Sequence, residues 1–381
     1  MSDDNEKVEI HRGLKGVFFD RSKVCFIDGR AGELRYRGYS IHDLAAHSSF
    51  EETCCLLLDG ELPNLTQFKS FKAELLAART LPNEIFDVIR TVRRAHPMDV
   101  LRTAVSALSA FDPETSDKSV PATRRKGIRL TSQVPMIVAA HEQIRSGRTP
   151  IAPNPELGHA ANFLYMLTGR VPSEDTARLM DTDMVLHAEH GANASSFTAR
   201  VVAGTEADLH SAVTAAIAAL SGPAHGGAAE NVMHMAREIA DPAKAADYVK
   251  SKRASKEAIM GFGHRVYRAE DPRARHMRAG VERLSREMGQ PQWYQILEAL
   301  VQAMKPYARL GVNVNVDFYA GVVYYLNGIS PDIFVPIFAV GRVPGWAASV
   351  LEQMENNILI RPLTEYNGPP ARDYLPIEQR A

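Results

Sequence analysis

Cysteine is scarce in this sequence, which has three cysteines among 381 residues. They are Cys25 and the adjacent pair Cys54 and Cys55, and their number and spacing exclude a disulfide framework and a four-thiolate metal site. A chain with so few thiols and no disulfide pattern is typical of a reducing compartment.

An excess of charge of either sign is also missing. The 44 Lys and Arg residues balance the 45 Asp and Glu residues, so the formal net charge is −1. Proteins dedicated to nucleic acids carry a marked basic excess. The sequence therefore predicts no nucleic-acid partner, and an anionic ligand would have to be met by a local basic cluster.

Long uninterrupted apolar runs are absent as well. The most apolar stretch, residues 334–351, contains Arg342 and two prolines, whereas a membrane span needs about 20 apolar residues. The first six residues are rich in acidic side chains, unlike the basic start of a signal or transit peptide. We therefore expect a cytoplasmic protein without a membrane segment.

The motifs of common cofactor sites are incomplete. Gly261 and Gly263 lack the third glycine and the preceding strand of a dinucleotide-binding loop, and no P-loop occurs. His187 and Glu189 match the His-x-Glu pair of zinc deaminases, but the required Pro-Cys-x-x-Cys partner is missing, as is the His-Glu-x-x-His motif of zinc peptidases. These absences argue against nicotinamide, ATP and metal chemistry.

What the sequence does contain is helical periodicity. Apolar residues make up 45% of the chain and charged residues 23%, so a globular fold with a large core is expected. Apolar positions recur at the spacing of a core-facing helix in most of the chain, which predicts an all-α fold with well over ten helices. The clearest stripes cover residues 68–77, 98–111, 206–220, 279–288 and 293–304.

Two segments depart from this periodicity. In residues 23–37, β-favouring residues flank Asp28-Gly29, a dipeptide that supplies the positive φ of a tight turn, so a small N-terminal β-hairpin is predicted. Residues 112–126 are rich in Asp, Pro, Ser and Thr and lack an apolar stripe, which predicts an exposed loop.

Glycine and proline mark two breaks that suggest a domain organisation. Ser-Gly-Pro at 221–223 ends an alanine-rich helix, and Asn-Gly-Ile-Ser-Pro at 327–331 forms a second break. Residues 221–327 are therefore predicted to form a small domain inserted into a large, discontinuous domain made of residues 1–220 and 328–381.

Three histidines stand beside glycine in loop-like segments: His190, His225 and His264. Histidine can act as an acid, a base or a neutral donor near neutral pH, and neighbouring glycines let the backbone approach a ligand closely. Each of them alone is more often a structural turn histidine, but three of them within about 75 residues favour a functional site.

A carboxylate and three arginines complete the set of candidate groups. Asp317 lies among apolar and aromatic residues, where a raised pKa would suit a general base, although it could also cap the helix that follows. Arg273, Arg342 and Arg361 stand next to proline, glycine or apolar runs, and several such arginines together indicate bidentate binding of a small polyanionic acid, although each alone is better explained by a surface ion pair. The basic run at 250–256, just before a glycine loop, favours a phosphate site but also fits a solvated helix face.

Taken in order, these motifs resemble those of the citrate synthase family over nearly the whole chain. They are His-Ala-Glu-His-Gly-x-Asn-Ala-Ser at 187–195, Gly-Pro-x-His-Gly-Gly at 222–227, Met-Gly-Phe-Gly-His-Arg-Val-Tyr-Arg at 260–268 with Asp-Pro-Arg at 271–273, Asn-Val-Asp-Phe-Tyr at 315–319, Gly-Arg at 341–342 and Arg-Pro at 361–362. The length resembles the short dimeric bacterial and archaeal type.

The resemblance implies an all-α fold with a large domain and a smaller mobile one, and an acyltransferase that condenses acetyl-CoA with oxaloacetate and hydrolyses citryl-CoA to citrate and CoA. By the family's pattern, catalysis would fall to His225, His264 and Asp317. Oxaloacetate would be bound by His190, Arg273, Arg342 and Arg361. CoA would be bound by Lys256, Glu257, Ala258, Ile259, Met260, Gly261 and Arg268.

The resemblance also implies a homodimer in which Arg361 serves the neighbouring site, with no metal and no cofactor besides the substrates. 2-Methylcitrate synthases, which take propionyl-CoA, share the same motifs, so the acyl group stays open, and a non-catalytic helical scaffold is a remote alternative. Two positions depart from the pattern: Ser349 stands where many relatives have histidine, and Val314 stands near a common proline. Both put only the finer shape of the site in doubt.

Overall fold

The computed structural model describes residues 9–380, and helices dominate this part of the chain as predicted. The first eight helices are α1 (Ile41–His47), α2 (Phe50–Asp59), α3 (Leu65–Ala77), α4 (Asn83–Thr91), α5 (Pro97–Leu108), α6 (Val120–Arg145), α7 (His159–Thr168) and α8 (Glu174–His187). The next eight are α9 (Ala194–Gly204), α10 (Leu209–Leu220), α11 (Ala228–Ile239), α12 (Ala245–Ala254), α13 (Ala274–Glu287), α14 (Gln292–Ala308), α15 (Asp317–Leu326) and α16 (Phe334–Glu355). Short 3₁₀ turns occur at Arg12–Leu14, Pro242–Lys244, Pro331–Ile333 and Ile377–Gln379.

The predicted N-terminal hairpin is present, but its turn differs from the prediction. Strands β1 (Cys25–Asp28) and β2 (Glu33–Tyr36) pair antiparallel, and a two-residue β3 (Tyr39–Ser40) extends the sheet in the order β1-β2-β3. The positive φ lies at Gly32 (68°), at the end of a four-residue loop. Position 29 requires glycine for a different reason: a Cβ there would clash with the carbonyl oxygen of Val266, at a distance of 2.3 Å.

The prediction of an exposed loop over 112–126 is wrong for its second half, which begins α6. Ser119 caps this helix by accepting the N–H of Ala122. Lys126 is buried, and its Nζ donates to the carbonyl of Asp117 at 2.6 Å. The polar residues at the start of α6 therefore cap the helix and bind the preceding loop. This explains why the sequence shows no apolar stripe there.

Helix α16 forms the centre of the core. It packs against α2, α6, α8, α9 and α10, and nearly all of its residues are buried. Together with the preceding turn, as Pro331–Glu355, it has the length and hydropathy of a membrane span, but its most apolar window lies wholly inside the protein. This burial is what a central core helix requires.

The helices between the two predicted breaks pack chiefly on one another. Helix α15 contacts α11, α13 and α14, and α12 packs on α14. Links to the rest of the chain include α13 against α8 and α11 against α16. Several of the candidate site residues lie in this segment and Arg342 lies in α16, and the division into two domains stays a prediction.

Candidate active site

Helix ends and loops, rather than helix faces, supply most of the predicted site residues. His190 follows α8, His225 lies between α10 and α11, and His264 lies between α12 and α13. Asp317 is the first residue of α15, whereas Arg342 lies inside α16. Loops can bring polar groups to one point without breaking the apolar stripes that hold the helices together.

The ring of His264 has a defined protonation state. Its Nδ1 accepts the backbone N–H groups of Val266 (3.0 Å) and Tyr267 (3.1 Å), so the proton of the neutral ring lies on Nε2. Burial, followed by the charge of Arg273, lowers the pKa of His264 to about 4. His264 is therefore a neutral hydrogen-bond donor near neutral pH.

His225 is fixed in the same way but with the opposite tautomer. Its Nε2 accepts the backbone N–H of Ser195 at 3.3 Å and lies 2.9 Å from Ser195 Oγ, which in turn accepts from Trp346 Nε1 at 3.0 Å. A backbone N–H can only donate, so the ring proton lies on Nδ1. Burial and then the charge of Arg342 lower the pKa of His225 to about 4, which makes it a second neutral donor.

His190 lies beside His264, with the ring centroids 5.1 Å apart. Its Nε2 is 3.1 Å from the hydroxyl of Tyr267, a residue of the same loop as His264. Burial, with Arg273 next in effect, holds the pKa of His190 well below its usual range. The structure therefore brings two of the three glycine-flanked histidines into direct contact.

Two predicted arginines are deeply buried. Arg273 donates through Nε and Nη2 to both carboxylate oxygens of Asp271, at 2.9 and 2.8 Å, so Nη1 is left free of this pair. Arg342 donates through Nε to the carbonyl of His187 and stacks on Phe338, with 4.7 Å from the guanidinium carbon to the ring centroid.

Arg342 has an unbalanced charge. Glu189 is close enough to act on its pKa, but no carboxylate forms an ion pair with Arg342 within residues 9–380. An uncompensated charge in the interior is costly unless an anion meets it. The arrangement therefore suits an anionic ligand bound beside Arg342 and Arg273.

Asp317 does not cap α15, so that alternative is wrong. Val316 is the N-cap residue, and no side chain accepts a hydrogen bond at this helix start. The Asp317 side chain is 17% exposed, and its Oδ1 lies 4.0 Å from Nε2 of the buried His187. Burial raises the pKa of Asp317, as expected for a base in an apolar site.

The remaining oxaloacetate candidate, Arg361, does not join these groups within one chain. It lies in the extended C-terminal segment after α16, is exposed, and forms no hydrogen bond or ion pair with residues 9–380. An exposed arginine in an extended segment can reach another subunit, but it adds nothing to the site of its own chain.

The predicted CoA residues form a loop between α12 and the histidine segment. Lys256, with a positive φ of 59°, is exposed, as are Glu257, Ala258, Met260 and Arg268, whereas Ile259 and Gly261 are buried. A Cβ at Gly261 would lie 2.5 Å from Phe318 Cδ2, and the Gly261 carbonyl accepts the N–H of Asn315 at 2.9 Å. The loop is thus tied to the segment that carries Asp317.

Several neighbours of these groups were not identified from the sequence. Ser195 and Tyr267 contact His225 and His264 in the structure. Both belong to the motifs quoted above, and this membership is the sequence signal that could have identified them. Phe338, which lies against Arg342, His187 and His225, has no such signal. His187 was weighed only as a metal ligand, and among residues 9–380 no cluster of three or more His, Cys, Asp or Glu could hold a metal ion.

Comparison with protein families gives one match over most of the chain. The family model described as the C-terminal domain of citrate synthase matches residues 13–363. The citrate synthase of Deinococcus radiodurans is 44% identical over 373 residues, which are 97% of this chain and 99% of that protein.

The 2-methylcitrate synthase 1 of Corynebacterium glutamicum is 41% identical over 378 residues, covering 98% of this chain and 99% of that protein. Among solved structures, the ternary complex of citrate synthase from Thermoplasma acidophilum with carboxymethyl coenzyme A and oxaloacetate superposes with a TM-score of 0.91. It is 32% identical, and the match covers 98% of this chain and 100% of that one.

Proposed function

The chain belongs to the citrate synthase family and is an enzyme of the acyltransferase type, and from this premise we propose the part that each residue of the pocket takes. The reaction joins the methyl carbon of acetyl-CoA to the ketone carbon of oxaloacetate, and hydrolysis of the citryl thioester then releases citrate and CoA. One observation carries the proposal: a backbone N–H occupies one ring nitrogen of both His225 and His264. Each ring therefore presents an N–H donor on its other nitrogen.

Asp317 is the base that removes a methyl proton from acetyl-CoA. A thioester α-proton is too weakly acidic for a carboxylate alone, so the charge that develops on the thioester oxygen has to be stabilised as it forms. The Nδ1–H of His225 supplies this hydrogen bond, and the product of the step is an enolate whose oxygen keeps the hydrogen bond from His225, with the methyl proton held on Asp317.

His264 activates the second substrate. Its Nε2–H donates to the ketone oxygen of oxaloacetate, which makes the ketone carbon more electrophilic when the enolate carbon attacks it. The alkoxide left by the new C–C bond takes a proton from His264, which the proton held on Asp317 replaces, and the product is citryl-CoA. Water then adds to the thioester carbon, the C–S bond breaks, and the CoA thiolate takes a proton from that water. Closure of residues 221–327 on the larger domain would keep water out until the C–C bond has formed.

Oxaloacetate is held by charge. Arg342, which is buried and forms no ion pair among residues 9–380, and the free Nη1 of Arg273 offer guanidinium donors to its carboxylates, and His190 adds a neutral ring beside His264. Arg361 completes the cluster from the neighbouring subunit of a homodimer, which agrees with its exposure in the C-terminal segment. CoA lies along Lys256, Glu257, Ala258, Ile259, Met260 and Gly261, with Arg268 on its phosphates.

No metal or organic cofactor enters this scheme, because Asp317, the two histidine donors and the attacking water account for the protons that move. We place the enzyme in the cytoplasm. The test is a thiol-release assay with oxaloacetate and a series of short acyl-CoA thioesters. Silence with every thioester would favour a non-catalytic scaffold and overturn the proposal.

We expect both acetyl-CoA and propionyl-CoA to react, with acetyl-CoA preferred. The two differ by one methylene, which is worth about 1–3 kcal/mol of discrimination in an apolar pocket, or about 10–200-fold in kcat/KM. The measurement is kcat/KM for each thioester at saturating oxaloacetate. An equal or higher value with propionyl-CoA would identify a 2-methylcitrate synthase, the activity named for the C. glutamicum relative.

Arg273→Lys should raise the KM for oxaloacetate by about 10–100-fold with a smaller change in kcat, because an ammonium group cannot keep both hydrogen bonds to Asp271 and also offer the substrate the donor that Nη1 supplies. Steady-state kinetics with oxaloacetate as the varied substrate measure this. Arg283→Lys is the matched control, since Arg283 lies in α13, the helix that follows Arg273, but is exposed in an ion pair with Asp175. A fall in kcat alone would contradict the binding role.

A further inference from the structure

We propose that His187 is a positioning residue for Asp317: a buried imidazolium, held by Asp183 and Tyr324, that keeps the Asp317 carboxylate ionised and aimed at the substrate. This inference rests on the proposed role of Asp317 as the base. It concerns His187, Asp183 and Tyr324, none of which contacts a substrate in the proposed mechanism.

The contacts of His187 fix the orientation of its ring. The side chain is 1% exposed, and its Nδ1 donates to the carbonyl oxygen of Asp183 at 2.8 Å, with Asp183 Oδ1 3.2 Å away. The ring packs on Phe338 with centroids 4.8 Å apart. With Nδ1 held in this way, Nε2 is the nitrogen that faces Asp317, at 4.0 Å from Oδ1.

Asp183 is itself held by the helix that carries Asp317. The Tyr324 hydroxyl donates to Asp183 Oδ2 at 2.5 Å, and both residues are 1% exposed. Asp183 and His187 are four residues apart on α8, and Asp317 and Tyr324 are seven apart on α15, so each pair lies on one helix face. Two contacts between these faces therefore fix the distance from His187 to Asp317.

The charged groups around His187 favour the protonated form of its ring. Burial acts to lower the pKa of His187, but Asp183 and then Asp317 outweigh it, so the pKa is raised above its ordinary value even with Arg273 opposing. The Nε of Arg342 donates to the backbone carbonyl of His187 and not to its ring. An imidazolium between two carboxylates offsets charge that burial alone would make costly.

The interaction between His187 and Asp317 also lowers the pKa of Asp317. Burial raises the pKa of Asp317, and His187 is the strongest group that opposes this rise, followed by Arg273. Asp271 and Asp183 add to the rise. Without the imidazolium, Asp317 would hold its proton to higher pH, and a protonated carboxyl cannot accept a proton from acetyl-CoA.

The test is the pH dependence of kcat/KM for acetyl-CoA in His187→Gln. We expect the midpoint of the acid limb to move upward by about one pH unit, since a charge at this distance shifts a carboxyl pKa by about 1–3 units. The loss of activity should then be about tenfold greater below both midpoints than above them. Tyr324→Phe should shift the acid limb the same way by a smaller amount, because it loosens Asp183 and with it the imidazolium. Asp183→Asn should also shift it upward by less than His187→Gln, because losing the strongest support of the imidazolium outweighs losing the weaker direct effect by which Asp183 raises the pKa of Asp317.

His141→Gln is the matched control. His141 is also 1% exposed, and its Nε2 contacts one backbone carbonyl, that of Arg93 at 3.1 Å, far along the chain from the pocket residues. It should leave the acid limb in place. Thermal unfolding and the oxaloacetate dissociation constant are measured for every variant, and if His187→Gln does not fold, Asp183→Asn and Tyr324→Phe decide the question.

The possible outcomes distinguish a failure of this inference from a failure of the proposal that Asp317 is the base. If Asp317→Asn keeps its turnover, the proposed base is wrong. If Asp317→Asn is inactive but the His187, Asp183 and Tyr324 variants lose the same factor at every pH with an unmoved acid limb, only the positioning role is overturned, and His187 serves packing alone.

Discussion

Asp317→Asn is expected to abolish turnover, with kcat lowered by about 10²–10⁴-fold or more, while the affinity for oxaloacetate stays nearly unchanged. The carboxylate moves a proton, whereas the arginines and His190 hold the substrate, so the two functions should separate. Asparagine fills the same space but cannot accept the methyl proton. The kcat from thiol release and the oxaloacetate dissociation constant from calorimetry measure the two effects independently.

Asp208→Asn is the control for an aspartate at a helix start. Asp208 caps α10 by accepting the N–H of Ser211 at 3.1 Å, and asparagine caps a helix equally well, so activity should be unchanged. Retained turnover in Asp317→Asn would place the base elsewhere. A rise in the oxaloacetate dissociation constant that matches the fall in kcat would make Asp317 a binding residue.

Mixing two inactive variants, Arg361→Ala and His264→Ala, is expected to restore activity. If each site borrows Arg361 from its neighbour, a heterodimer has one site with both wild-type residues and one site with neither. Recovery of up to about half of the wild-type activity per heterodimer follows from this count of sites. Each homodimer alone should be inactive, since it lacks the same group in both sites.

The experiment uses differently tagged subunits, so that the heterodimer can be purified and subunit exchange proven by mass. Arg372→Ala is the control, because Arg372 is also exposed in the C-terminal segment but is not part of the proposed cluster. It should keep full activity alone. A monomeric mass with full activity, or no recovery despite proven exchange, would show that Arg361 does not serve a neighbouring site.

The helices were the most predictable part of the fold. The stripe over 98–111 corresponds to α5 (Pro97–Leu108), and the stripe over 293–304 lies inside α14 (Gln292–Ala308). The stripe over 206–220 began three residues early, because Asp208 caps the helix and precedes its first turn. Periodicity records which face is buried, so it finds the middle of a helix better than its ends.

The errors have a common physical origin. Asp28-Gly29 has the composition of a tight turn, but Gly29 is glycine because the chain near Val266, over 200 residues away, passes against it. The start of α6 lacks an apolar stripe because its polar side chains bind the preceding loop. In both cases a contact that the local sequence does not contain decides the role of the residue.

The sequence by itself determined the helical character of the chain, the short motifs and the residue types that the chemistry needs, since these depend on spacing within a few turns. Tertiary structure alone decided what those residues can do. The tautomer of His225 is set by Ser195, 30 residues away in the sequence. The group that does most to lower the pKa of Asp317 is His187, which lies on another helix. Protonation depends on distances of a few ångströms between groups that only helix packing brings together, and no local pattern encodes those distances.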